Sequence, residues 1–125
     1  VVEFDPQIYP RKVWIAKGGD VKSLREQFCR VNGDEIAFEG DYEGFVDSVS
    51  RKSDGKFGEL IWFPYASAMP IGHISHEATH AAIDIFDDCG CRIDTENQEP
   101  FAYLVGWIAE CINNVKRGNN GKFKG

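Results

Sequence analysis

The chain predicts an α+β domain: a twisted, mostly antiparallel sheet with one helix in the N-terminal half, then two long helices in the C-terminal half. Three observations carry this. Short apolar runs at residues 11–16, 35–38, 45–51 and 57–63 alternate with the period of two that belongs to a half-buried strand. After Pro70 the apolar period changes to that of a helix. Between the last two runs stands Ser53-Asp54-Gly55-Lys56, and Asp-Gly supplies the positive φ that a hairpin turn demands.

In order, Val13-Trp14-Ile15 marks the first strand. Asp20 is a cap for a short helix running through Arg30, with Val21, Leu24 and Phe28 on one face. Residues 35–38 form a short strand, and residues 45–51 and 57–63 form the hairpin. Pro64 ends its second strand, and residues 66–70 link it to the first long helix. Residues 116–125 read as a frayed basic tail.

A chain of 125 residues makes one domain, residues 1–125, with room for a single core. The 42% hydrophobic and 27% charged content is that of a water-exposed globular fold. A net charge of −6 argues against a nucleic-acid binder. No apolar run has the length of a membrane span, and residues 1–6 carry no signal-peptide pattern, so a cytoplasmic protein is expected.

The chemistry concentrates in Ile74-Ser75-His76-Glu77-Ala78-Thr79-His80. Histidines four apart on a helix share a face, one turn above each other, so both imidazoles can reach one metal ion. Glu77, directly after the first, can act as general base on a metal-bound water. A carboxylate from a later helix would complete three protein ligands and leave the fourth position open, as a catalytic zinc site requires. All three histidines of the chain, His73, His76 and His80, fall in this window. On a wheel of roughly 100° per residue they gather with Glu77 and Asp84 within about 60°, while Ile71, Ile74, Ala78, Ala81, Ala82 and Ile85 take a separate arc. Asp84, one turn beyond His80, is a candidate to support that ligand from outside or a solvated charge, and His73 is a candidate for the same supporting role, a substrate contact or a spare ligand.

On the second helix, Glu99, Tyr103, Gly106 and Glu110 share one face, and Phe101, Leu104, Val105, Ile108 and Ile112 supply the apolar surface. Pro100 suits a first helical turn, with Thr95 or Asn97 as cap. Gly106 would leave room for the metal site if that face met the histidine helix.

His76-Glu77-x-x-His80 with Glu99-x-x-Ala102-Tyr103 downstream resembles the glutamate-zincin metallopeptidases, and in particular small metallopeptidase-like proteins found in bacteriophages and mobile elements. The resemblance covers roughly residues 73–112. It implies Zn²⁺ held by His76, His80 and Glu99, Glu77 as the base, a peptide or protein substrate, and a zincin-like arrangement of sheet, ligand helix and glutamate helix. Tyr103 stands where the best-known glutamate-zincins carry an aspartate four residues after the ligand glutamate; its phenol could donate to an oxyanion, or it is a core aromatic with a satisfied hydroxyl. Two other readings stay open: a zinc-stabilised binding or structural accessory protein, and a hydrolase of cell-wall peptides or small amides.

Four cysteines, Cys29, Cys89, Cys91 and Cys111, fit reduced thiols. The alternatives are a disulfide from the 89–91 pair to Cys111 or Cys29, or Cys89 or Cys91 as a soft zinc ligand in place of Glu99.

Overall fold

The computed structural model describes residues 1–38 and 44–118. The end of the basic tail, with Lys122 and Lys124, lies outside the described residues. Among these residues, five strands and three α-helices follow in the order β1 (Val2–Phe4), β2 (Lys12–Lys17), α1 (Val21–Gln27), β3 (Phe28–Arg30), β4 (Phe45–Arg51), β5 (Phe57–Phe63), α2 (Ile71–Asp88) and α3 (Glu99–Lys116), with a single 3-10 turn at Ala66–Ala68 before α2. The expected α+β class holds. The strands make one mixed sheet, ordered β1-β2-β5-β4-β3. β2 and β5 run parallel, and the other three pairings are antiparallel.

Alternation along the central strands divides the interior in two. On one face, Val13, Ile15, Ile61 and Phe63 meet Ile74, Ala78, Ala81, Ala82 and Ile85 of α2 and Leu104, Ile108 and Ile112 of α3. On the other, Trp14, Val49 and Leu60 pack with Leu24, Phe28 and Ile36. The sheet is therefore sandwiched, with α1 on one side and the α2–α3 pair on the other. Gly58 lies at the β2–β5 junction because a Cβ there would stand 2.3 Å from the Lys12 carbonyl oxygen and 2.7 Å from the Trp14 ring. The hairpin forms as expected: Gly55 (φ 72) turns the chain, and Arg51 holds the Asp54 carboxylate at 2.7 Å and Glu3 of β1 at 2.6 Å.

Three local expectations are corrected. The first helix stops at Gln27 instead of Arg30, because residues 28–30 pair with Val49–Arg51 of β4; pairing partners outweigh local helix preference. Residues 35–38 are not a strand. Ile36 is fully buried there, and its carbonyl accepts the Arg25 Nε–H at 2.9 Å. α3 is preceded by Gln98 without a side-chain cap, so neither Thr95 nor Asn97 serves, although Pro100 takes its place in the first turn. The Asp20 cap is as expected, its carboxylate accepting the Lys22 N–H at 2.9 Å.

Glu59 is the exceptional core residue, a carboxyl at 0% exposure on β5. Ser48 of β4 donates to its Oε2 at 2.7 Å, and its Oε1 receives no hydrogen bond from the described residues. The Asp84 carboxyl meets it from α2. Burial first, and the hydrogen bond to Asp84 second, push the Glu59 pKa up to about 10. Burial disfavours the charged form of Glu59, so at neutral pH Glu59 keeps its proton and donates it toward Asp84.

A carboxyl raised in the folded state stabilises the fold fully below its unfolded pKa and loses that contribution as pH rises through its folded pKa. Glu59→Gln keeps a donor and an acceptor but cannot ionise. The variant's stability relative to the parent should therefore climb between about pH 5 and pH 9, by up to about 1.4 kcal/mol per pH unit. Denaturant melts of both proteins across that range measure it. A pH-independent difference would show that Glu59 is ionised in the fold.

Candidate metal centre

α2 presents its histidines because its apolar stripe is committed elsewhere. Ile74, Ala78, Ala81, Ala82 and Ile85 are buried against the sheet and α3, whereas Ile71, expected on the same arc, is exposed because it opens the first turn beyond the packed part of the helix. The adjacent arc then carries His73, His76, Glu77, His80 and Asp84 along the flank of the helix that borders β4 and β5.

His76 and His80 come together. Their Nε2 atoms are 3.2 Å apart, the ring centroids are 4.7 Å apart, and the planes are near perpendicular at 78°. Two nitrogens bonded to one tetrahedral zinc at about 2.0–2.1 Å stand about 3.3 Å from each other. The contact is a hydrogen bond between the two ring nitrogens, at a spacing that two ligands of one zinc ion would also have, and both rings are exposed.

Glu77 turns the other way, toward the sheet. Its side chain is 13% exposed, and Oε1 stands 3.8 Å from His76 Nε2. Burial raises its pKa, with the charges of His76, His80 and His73 pulling in the opposite direction. Gly44, just before β4, makes this placement possible: a Cβ there would fall 3.2 Å from Glu77 Cγ and 3.0 Å from the Phe63 ring. Gly44 is a positioning element that sequence reasoning missed; a lone glycine ahead of an apolar strand was its only signal. His73, half-buried at the start of α2, bonds through Nδ1 to the Ala68 carbonyl at 3.2 Å.

The remaining candidates lie elsewhere. α3 returns antiparallel to α2, and the Phe101 ring sits 5.3 Å from that of Phe86. Phe86 is about 9 Å along the axis beyond His80 at 1.5 Å per residue, so Glu99 starts α3 at the far end of α2 and is exposed. Among the described residues, no group of three or more His, Cys, Asp and Glu is placed to hold a metal. Glu99 does not join the histidines in this structure. Tyr103 is 74% exposed and lines a groove with Ile8, Tyr9, Pro100 and Trp107. Gly106 meets no neighbour within 4 Å of where a Cβ would be, so it makes no room for a metal. The cause is the same for all three: burial of Leu104, Ile108, Ile112 and Val115 turns the Glu99–Tyr103–Gly106 face to solvent. Asp84 is engaged by Glu59, and no described hydrogen bond joins it to His80. Cys89 caps α2 nine residues past His80, about 14 Å along the axis, and Cys91 follows it beyond the turn at Gly90.

Comparisons with protein-family models, with curated proteins and with solved structures gave no match, so the reading of this site rests on its own geometry.

His80→Ala should weaken zinc binding by more than the roughly 100-fold that follows loss of an outer-shell partner, while Glu99→Ala should leave it within about twofold. Competition with a chromogenic chelator measures both. Equal losses in the two variants would mean that Glu99 reaches the ion and that α3 is placed differently in the metal-bound protein.

Proposed function

We propose that the chain is a zinc-dependent hydrolase of metallopeptidase type, cleaving a peptide or amide bond, with His76 and His80 as ligands and Glu77 as general base. The observation that carries this is the pair of Nε2 atoms 3.2 Å apart with the Glu77 carboxylate beside it on the sheet side. Zinc, when bound, lowers the pKa of a coordinated water and polarises a carbonyl.

The chain's own residues supply the rest. Glu77 is half-sequestered, and burial raises its proton affinity, which suits a group that takes a proton from water and passes it to a leaving amine. Gly44 keeps the sheet close without displacing that carboxylate. Among the described residues β3 pairs only with Val49–Arg51 of β4. The outer edge of residues 45–48 therefore has no described partner strand, and it begins beside Glu77. An extended peptide adding to that edge through main-chain hydrogen bonds would pass the base and the histidine pair. A structural zinc site is closed by four protein ligands; an exposed histidine pair with an adjacent carboxylate supports hydrolysis over a purely structural role. Among the described residues, no helix is long and apolar enough to cross a membrane.

Glu77→Gln should retain zinc and the fold and lose hydrolysis by about 10²–10⁴-fold, because an amide cannot accept the water's proton. Zinc-loaded parent and variant are compared on a mixed peptide library and on cell-wall peptide fragments. Equal turnover by the two proteins would remove Glu77 from the chemistry. Loss of zinc in the variant would make it a ligand instead.

A further inference from the structure

We propose that Cys89-Gly90-Cys91 is a redox-active dithiol that exchanges with low-molecular-weight disulfides and closes into a Cys89–Cys91 disulfide. It stands at the opposite end of α2 from the histidine pair and is independent of the metal reading.

The backbone prepares this pairing. Residues two apart span at most about 7.2 Å when extended, and a turn at the middle residue shortens the span into the disulfide window of about 4.4–6.8 Å. Gly90 provides that turn, with φ 70. Cys89 caps α2 with its N–H on the Ile85 carbonyl at 3.0 Å, and the Cys91 N–H returns to the Phe86 carbonyl at 2.8 Å. The Cys91 thiol is turned back toward the preceding turn, its Sγ–H donating to the Cys89 backbone carbonyl at 4.0 Å. Both cysteines are free thiols. The other two cysteines are out of reach: Cys111 is buried twelve residues into α3, about 18 Å along its axis, and Cys29 lies on β3 at the far edge of the sheet.

Exposure orders the steps. Cys91 is exposed and Cys89 half-buried, so Cys91 is the sulfur that an incoming disulfide meets. Its thiolate attacks one sulfur of RSSR, the S–S bond breaks, and RS⁻ leaves with the electron pair. The Cys89 thiol, deprotonated, then attacks the Cys91 sulfur of the mixed disulfide and expels the second RS⁻. Two protein thiols lose two electrons and two protons, and RSSR becomes two RSH. Burial pushes the Cys89 thiol up, with Arg11 opposing, which suits the resolving sulfur better than the attacking one.

The test exposes the reduced chain to graded mixtures of reduced and oxidised glutathione without oxygen. Alkylation, intact mass and peptide mapping then follow. The expected product has lost two of its four thiols, with the new bond inside residues 89–91. Cys91→Ser should abolish it, and Cys89→Ser should stop at a glutathione adduct on Cys91. The proposal is overturned if the parent loses no thiols, if Cys89 or Cys91 pairs with Cys29 or Cys111, or if the parent accumulates the same adduct as Cys89→Ser.

Discussion

The burial of one apolar stripe on α2 governs the rest of the structure. Ala78, Ala81, Ala82 and Ile85 are fully buried, and three of these four are alanines, so the helix lies close to the sheet and to α3. Once that stripe is seated, the rotation of the helix has no freedom left. His76 and His80 must face solvent, Glu77 must point toward the start of β4, and Asp84 must meet Glu59. Substituting any of the three alanines by a larger residue would tilt the helix and move every one of these groups together.

Two devices accommodate this close packing. Gly44 yields the space that the Glu77 side chain occupies. Glu59 yields its charge: flanked by Ser48 and Asp84, it holds a proton and links β5 to α2 without the desolvation cost of an ionised carboxylate. The outcome is a helix whose exposed flank carries two adjacent imidazoles, and whose sheet-side flank brings Glu77, partly covered, and Asp84 against the sheet that holds the wholly buried Glu59.

The parts of the fold legible in the sequence were those with a long local signal. α2 and α3 carry several turns of apolar period, and the β4–β5 hairpin announces itself by Asp54-Gly55 between two alternating runs. β1 and β3 are three residues each and exist only through pairing with β2 and β4, which no local window contains. The histidine pair was legible because both members sit on one helix, so their separation follows from helical geometry alone. Glu99 was different. Its place depended on where α2 ended and how α3 docked, and the turn at Gly90 ends α2 eight residues past His80. That puts the start of α3 well beyond the histidines. Glu59 was hidden inside an apolar run whose neighbours gave no hint of Asp84 across the layer.

The central claim is that His76 and His80 converge on a single metal ion, and nitrogen-resolved NMR of the imidazoles during a zinc titration tests it most directly. The expected result is saturation at one zinc per chain, with the Nε2 resonances of His76 and His80 shifting together and the Glu77 carboxyl retained beside them. Zinc taken up with both Nε2 resonances unmoved, or bound through one histidine while the other titrates freely with pH, would contradict it.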